Sequence, residues 1–274
     1  MIHALYSKLI PTLLLLALFS TTTKAASPIA DKALEMEIRR IIQEPMGELT
    51  EEKLLKLFIL EAPGKSIKDL QGLEKCKNLA LIRLSNNQIT DLKPIKDLAN
   101  VQSLDLANNK ISDIKPIAGL IKLQYIELSG NQIADISALE KLTALNAIYL
   151  GNNKISDISS VKNLAKLSSL SLPKNQISNL APLATVTRIS TLDLSDNQVS
   201  DLAPLSKQTD LRMLIIERNK IADLKPLVDS CKADFAAAKR FAPFLRLYLA
   251  GNTLGADSAK QLEELKAAGV RKES

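Results

Sequence analysis

Apolar residues recur in one frame along most of this chain. In one unit the frame comprises Val101, Leu104, Leu106, Ile111, Ile114, Ile117 and Leu120, and Leu123 opens the next unit. An asparagine stands in each unit at an interval of 22 residues: Asn87, Asn109, Asn131, Asn153, Asn175, Asn197 and Asn219. A fixed period of this length predicts a solenoid. Because one unit cannot bury its apolar side chains alone, neighbouring units must stack.

Each unit contains the elements of one coil. Leu104 and Leu106 flank Asp105, and because side chains alternate across a strand, this run predicts a short parallel strand with an apolar inner face. The side-chain amide of the asparagine is expected to satisfy backbone groups at the bend that follows. Four residues after each asparagine comes a residue predicted to cap a short helical turn on the outer side: Asp91, Asp113, Asp135, Asp157, Asn179, Asp201 or Asp223.

The repeats resemble a known type. The run Leu-Asp-Leu-Ala-Asn-Asn-Lys-Ile-Ser-Asp-Ile-Lys-Pro-Ile, from Leu104 to Ile117, is similar to the 22-residue leucine-rich repeat of the bacterial internalin family. Residues 79–228 match this pattern, and the Asp-Ile/Leu-x-Pro-Leu/Ile ending is typical of the internalin repeat. The resemblance implies a curved, right-handed solenoid whose concave strand face binds another protein.

Helical patterns flank the repeats. Before them, residues 31–43 place apolar side chains on one helical stripe, and Thr50 begins a second helix with Leu49 and Leu54 placed as a hydrophobic staple. Residues 57–73 form a degenerate repeat in which Lys65 takes the asparagine position. These elements are expected to cover the first strand edge.

After the regular repeats, the interval to the next asparagine lengthens. Helical spacing of Leu227, Cys231 and Phe235 predicts that the outer turn becomes a helix. The phenylalanines of this region, Phe235, Phe241 and Phe244, are expected to be buried against the last coil, with a partner-binding cluster as the alternative. A capping box of Ser258 and Gln261 and a stop at Gly269 predict a final helix.

These patterns divide the chain into four predicted parts. They are a signal peptide at 1–25, an N-terminal helical cap at 26–56, a solenoid at 57–252 and a C-terminal helical cap at 253–274. The solenoid comprises a degenerate repeat at 57–78, regular repeats at 79–228 and an elongated repeat at 229–252. The predicted fold class is therefore an α/β solenoid, with parallel strands on the concave face, short 3₁₀ turns on the convex face and helical caps at both ends.

Residues 1–25 have the pattern of a secretory signal peptide. Lys8 precedes an apolar stretch from Leu9 to Phe19, and small residues surround the predicted cleavage after Ala25. A retained membrane anchor is the alternative, but the apolar run is shorter than the ~20 residues that span a bilayer. The mature chain is therefore expected to be secreted or periplasmic, not inserted in a membrane, and monomeric.

The composition excludes several kinds of chemistry. The single histidine, His3, leaves with the signal peptide, which removes histidine-based triads and metal sites. The net charge of +6 falls to +4 when Lys8 and Lys24 are removed, which is too mild for a nucleic-acid surface. Cys76 and Cys231 lie about seven repeats apart, too far for a disulfide at about 4.8 Å per strand. We therefore expect no enzyme activity, no cofactor and no metal.

The exposed positions of the strands remain as candidates for binding. Asp105, Tyr125, Glu127 and Tyr149 form the densest group of charged and aromatic residues, and the apolar Met213 and Ile215 form a second group. The predicted partner-binding residues are Asp105, Tyr125, Glu127, Tyr149, Asp193, Met213 and Ile215. Tyrosine is enriched at binding hot spots.

Three functions are compatible with this surface. The first is a protein-binding module. The second is a structural envelope protein without a dedicated ligand, which the small residues Ala147, Ser169 and Ser171 would suit. The third is a glycan or peptidoglycan binder or hydrolase, for which Asp105 and Glu127 form the obvious carboxylate pair, although a groove lined by more aromatic residues would be expected.

Overall fold

The computed structural model describes residues 27–237 and 239–273, and the predicted signal peptide lies outside them. Within this range ten short strands form one parallel sheet, in which each strand pairs with the next along the chain. The strands are β1 (Ile59–Glu61), β2 (Leu81–Arg83), β3 (Ser103–Asp105), β4 (Tyr125–Glu127), β5 (Ala147–Tyr149), β6 (Ser169–Ser171), β7 (Thr191–Asp193), β8 (Met213–Ile215), β9 (Arg246–Tyr248) and β10 (Arg271–Glu273). This order confirms the predicted solenoid.

The chain returns between strands through short helical turns. These 3₁₀ turns are Leu73–Lys75, Lys93–Ile95, Lys115–Gly119, Ser137–Leu139, Ser159–Asn163, Ala181–Thr185, Ala203–Leu205 and Ala242–Phe244. Oδ1 of Asp113 accepts a hydrogen bond from the N–H of Lys115, the first residue of its turn, at 2.9 Å. The same bond recurs at the equivalent aspartates and at Asn179, so this column caps the outer turns as predicted.

Helices lie at both ends of the repeats. They are α1 (Lys32–Ile42), α2 (Glu51–Leu54), α3 (Lys225–Ala236) and α4 (Ser258–Ala267). Oδ1 of Asp31 accepts two N–H groups from the first turn of α1, and its Oδ2 accepts the N–H of Lys68 at 2.8 Å. Asp31 therefore caps α1 and also attaches it to the first repeat. Lys65 adds an ion pair to Glu37 of α1 at 2.7 Å.

The strand register places equivalent residues of successive repeats side by side. Leu104 pairs with Ile82 on one side and Ile126 on the other, and all three are fully buried. One continuous apolar core runs from α1 to α4. Burial of this column removes apolar side chains from water, which stabilises the fold by about 25 cal/mol for each Å² of apolar surface buried.

The asparagines form a hydrogen-bonded ladder beside this core. Oδ1 of Asn109 accepts from the N–H of Ile89 in the preceding repeat at 3.0 Å. Its Nδ2 donates to the carbonyl of Leu84 in that repeat at 3.0 Å and to that of Leu106 in its own repeat at 2.9 Å. Each asparagine thus joins two repeats, which confirms its predicted structural role.

The phenylalanines of the last coil differ from the sequence expectation. Phe241 is buried, because Asp234 accepts its backbone N–H and draws this segment against α3. Phe235 and Phe244 remain 39% and 56% exposed, so the prediction that all three are buried was wrong. Cationic groups lie over these two rings: Lys239 Nζ is 4.9 Å from the Phe235 centroid, and the guanidinium of Arg212 lies over Phe244.

The C-terminal cap differs from the prediction in two further ways. Ser258 and Gln261 do not form a capping box, because Gln261 bonds outside its own helix. Its Oε1 accepts the N–H of Leu224 at 2.9 Å and its Nε2 donates to Asp223, which joins α4 to the last regular repeat. Helix α4 ends near Gly269, where φ is 91°, as predicted, but the chain then forms β10, which pairs with β9. The cap is therefore a helix and a strand.

Both cysteines are free, as predicted, and both are buried. Burial raises the pKa of the Cys76 and Cys231 thiols to about 12. Among the described residues, no helix has the length and apolarity needed to cross a membrane. The same residues contain no group of three or more His, Cys, Asp or Glu side chains placed to hold a metal ion.

Candidate functional site

Two columns of side chains cover the outward face of the sheet, here called the strand face. The first column aligns Asp105 with Glu127 and Glu127 with Tyr149 on adjacent strands. The second places Tyr125 between Ser103 and Ala147. The structure therefore brings Asp105, Tyr125, Glu127 and Tyr149 together on β3, β4 and β5. We call these four residues the strand-face patch.

The two tyrosines of the patch pack on each other. Their ring centroids are 5.5 Å apart, with the planes tilted by 43°. The hydroxyl of Tyr149 lies 3.1 Å from Oγ of Ser169 on β6, so a hydrogen bond also holds this ring in place. Both side chains are partly exposed. The patch therefore offers a fixed aromatic surface, and its ordering costs little further side-chain entropy on binding.

The two carboxylates of the patch have different electrostatic surroundings. Asp105 Oδ2 lies 3.6 Å from Nε of Arg83, whose guanidinium also pairs with Glu61 at 2.9 Å. Glu127 forms no ion pair with any described residue. Burial raises the pKa of Glu127 above its ordinary value; hydrogen bonds from Ser129 oppose this shift, and the nearby Asp105 charge adds to it. The patch thus contains one carboxylate that lacks a neutralising cation.

Tyr125 responds to the same surroundings. Burial, then the negative charges of Glu127 and Asp105, raise the pKa of its hydroxyl. Its ring is therefore neutral at physiological pH and lies beside an uncompensated negative charge. A cation that approached this point would be attracted both by the carboxylate and by the aromatic faces.

The repeat frame also uses the carboxylates of this column, which the sequence analysis did not foresee. Asp105 Oδ1 accepts the N–H two residues later at 3.1 Å, Glu127 Oε1 does so at 2.7 Å and Asp193 Oδ1 at 2.9 Å. Tyr149 cannot accept such a bond, and Oγ of Ser129 in the preceding repeat accepts the N–H of Gly151 instead, at 3.0 Å. These candidate binding positions therefore also have a structural role.

The remaining predicted residues form a separate group. Met213 pairs with Thr191, and Ile215 lies between Asp193 and Tyr248. This group is on β7 and β8, so at about 4.8 Å per strand it begins roughly 10 Å from the patch. The small side chains of β6 lie between the two groups. One compact ligand would therefore contact one group or the other, whereas a protein surface can cover both.

A second polar surface lies beside the strands and was not predicted. An open groove of about 660 Å³ runs past the amino-terminal ends of β4 to β8, and Lys166, Arg188 and Arg212 line it. We call it the side groove. Lys166 and Arg188 both stand nine residues before an asparagine of the ladder, so the period that revealed the strand face could also have revealed this column.

Comparisons with known proteins agree with the fold. A family model described as Leucine Rich repeats (2 copies) matches residues 77–120, 99–141 and 121–163. Internalin C2 from Listeria monocytogenes is 29% identical, with a TM-score of 0.72 over 83% of this chain and 96% of the internalin. An internalin designated inlF from the same organism is 25% identical, with a TM-score of 0.65 over 93% and 95% of the two chains.

The chain carries leucine-rich repeats of the internalin type. A plant receptor kinase ectodomain from Arabidopsis thaliana, solved in complex with Casparian strip integrity factor 2, is similar in fold alone: it is 21% identical, with a TM-score of 0.58 over 74% of this chain and 25% of the receptor chain. No curated protein matches the chain significantly. An internalin-type leucine-rich-repeat solenoid is a protein–protein interaction module.

Proposed function

We propose that the chain is an exported, non-enzymatic protein that binds a partner protein through the strand-face patch. The observation that carries the proposal is the juxtaposition of Glu127, which has no ion pair among the described residues, with the packed rings of Tyr125 and Tyr149. A buried or half-buried carboxylate without a cation is unfavourable in the free protein. A partner that supplied the cation would remove this cost.

The patch favours a particular partner chemistry. A lysine or arginine side chain placed over the tyrosine rings could pair with Glu127 at the same time. Arg83 neutralises part of the charge on Asp105, so the attraction is concentrated near β4. The apolar pair Met213 and Ile215 would provide a second contact for a partner large enough to reach β8.

Catalysis by the carboxylates receives no support from their contacts. Asp105 is bonded to a backbone N–H and lies near Arg83, and Glu127 is bonded to the N–H of Ser129. Each carboxylate thus already serves its own repeat by accepting a backbone N–H group. We therefore include the absence of enzyme activity in the proposal. Export is proposed from the signal pattern of residues 1–25 and is tested by determining the amino terminus of the mature protein.

The binding proposal is tested with matched variants once crosslinking in native surroundings has identified the partner. Tyr149→Ala should weaken binding by about 1–2 kcal/mol, because it removes half of the aromatic surface. Glu127→Gln retains an acceptor for the N–H of Ser129 and removes the charge, so it should slow association in a salt-dependent manner.

Lys115→Glu on an outer turn is the control and should leave binding unchanged. Melting temperatures of the three variants should be close to that of the unmodified protein, which separates a binding defect from a folding defect. Normal binding by both patch variants, together with loss of binding in the outer variant, would refute the assignment. A protein for which no saturable partner exists would instead fit the structural envelope role.

A further inference from the structure

The residue nine positions before each asparagine changes its role along the solenoid. In early repeats it is an amide that the fold uses: Asn78 Nδ2 donates to the carbonyl of Leu55 at 2.8 Å, and Asn100 Nδ2 donates to that of Lys77 at 3.1 Å. Two later repeats hold Lys166 and Arg188 at the same position, and their side chains form no hydrogen bond with the described residues, whereas Asp210, one repeat further on, pairs with Arg240. Contacts within the described structure therefore account for the early amides and for Asp210, and they do not account for Lys166 and Arg188.

The side groove carries positive charge that the described part of the chain does not neutralise. Lys166, Arg188 and Arg212 line it, and none of them forms an ion pair with a described residue. Asp210 also lines the groove, but its carboxylate already pairs with Arg240 at 2.9 Å. Three cations in neighbouring repeats thus face one open depression. Such a cluster is unfavourable in the free protein and attracts an anionic ligand.

The dimensions of the groove fit an extended chain. Lys166 and Arg188 occupy the same position in adjacent repeats, so their backbones are about 4.8 Å apart, and Arg212 belongs to the next repeat. Alternate side chains of an extended peptide recur at about 6.6–6.8 Å, a distance that long basic side chains can adjust to. Asn146, Ser168 and Ser190 also line the groove and can bond to peptide groups.

An aromatic side chain lies at one end of this basic cluster. Phe244 is 56% exposed, and the guanidinium carbon of Arg212 lies 5.3 Å from its ring centroid. A ligand that reached this end would meet an apolar surface as well as a positive charge. A carboxylate-rich polypeptide with an apolar residue matches this combination. A nucleic acid would be expected to require a longer basic stripe and aromatic rings for stacking.

We infer that the side groove binds an acidic, extended segment of a protein partner. This surface is distinct from the strand-face patch and is opposite to it in charge. The inference rests on the proposed function only in requiring that the chain binds proteins, and the strand-face patch takes no part in it.

The test uses a short fluorescein-labelled peptide of alternating glutamate and leucine, with a matched peptide in which glutamine replaces glutamate. Fluorescence anisotropy should show saturable binding of the glutamate peptide to the full mature chain and at least about tenfold weaker binding of the glutamine peptide. Arg188→Glu and Lys166→Glu should each weaken the glutamate peptide about tenfold or more. Lys154→Glu makes the same charge change at another exposed position and should have no such effect.

Three results would overturn the inference. The glutamate peptide could fail to saturate, it could bind the Arg188→Glu and Lys154→Glu variants equally well, or a single-stranded oligonucleotide or heparin fragment could bind the groove more tightly than the peptide does. Tyr149→Ala should leave peptide affinity unchanged, and loss of binding in that variant would place the peptide on the strand face. Because the peptide assay is independent of the patch, failure of the groove and failure of the proposed function can be distinguished.

Discussion

Removal of one asparagine from the ladder tests how neighbouring repeats are held together. In Asn109→Ala the backbone N–H of Ile89 loses its acceptor, the Asn109 Oδ1 atom at 3.0 Å, and this bond is buried. The substitution also removes the Nδ2 donors of the asparagine. Both effects fall at the contact between two repeats and leave the apolar core of each repeat unchanged.

The size of the stability loss in Asn109→Ala depends on which backbone groups keep another hydrogen-bond partner. The Leu84 carbonyl still accepts from Asn87 Nδ2 at 2.9 Å, and the Leu106 carbonyl still accepts from Asn131 Nδ2 at 3.1 Å. The Ala107 carbonyl, which is the third acceptor of Asn109 Nδ2, still accepts a hydrogen bond from a backbone N–H. The N–H of Ile89 is therefore the group left unpaired, and an unpaired buried donor costs about 1–3 kcal/mol.

Urea unfolding followed by far-ultraviolet circular dichroism measures this cost. Lys110→Ala is the matched control, because Lys110 is the next residue and its side chain is exposed. The Asn109→Ala midpoint should fall by an amount equivalent to about 1–3 kcal/mol, while Lys110→Ala should stay within about 0.5 kcal/mol of the unmodified chain. Equal midpoints for the two variants would refute the argument that the ladder contributes through buried backbone groups.

Three further predictions concern stability and reactivity. Gln208 is fully buried with its Oε1 unpaired, and the Leu183 carbonyl that accepts from its Nε2 has a second donor. Gln208→Leu should therefore raise the free energy of unfolding by about 1 kcal/mol in the same urea assay. A free energy of unfolding below that of the unmodified chain would contradict this. Because their pKa values are raised, the Cys76 and Cys231 thiols should resist iodoacetamide at pH 8 in the native protein and titrate as two free thiols after unfolding, with no effect of dithiothreitol on the melting temperature. Burial alone would raise the pKa of Asp234, but hydrogen bonds from three backbone N–H groups lower it. The ionised carboxylate therefore stabilises the fold above the unfolded pKa of about 3.9, and this contribution should be lost as the pH falls from that value through the lower pKa of the folded state. Asp234→Asn should therefore show a smaller acid-induced decrease in melting temperature than the unmodified chain.

The periodic part of the structure was predictable because every repeat solves the same local problem. Strand positions, the buried column around Leu104 and the bonding role of Asn109 follow from residue types at fixed intervals. The register of the strand face followed as well, so the patch around Glu127 could be assembled on paper from the 22-residue spacing. A tertiary contact that recurs at each period is also a sequence pattern.

The parts that sequence reasoning missed depend on contacts that do not recur. Gln261 has the spacing of a capping box but bonds to Leu224 in another element, and β10 forms because β9 leaves a free edge. The exposure of Phe244 depends on how the last coil packs. The side groove has a periodic signal at Arg188, but its importance appears only when the unpaired charges of three repeats are seen in one depression.

Site-specific photocrosslinking can determine whether the strand face carries the protein-binding site. A photoreactive phenylalanine analogue is placed at position 149 on the strand face in one variant and at position 115 on an outer turn in another. In native surroundings, we expect a defined protein adduct from position 149 that excess unmodified chain suppresses, and no such adduct from position 115. The same suppressible adduct from position 115, with none from position 149, would show that the binding site lies on the outer side of the solenoid and not on the strand face.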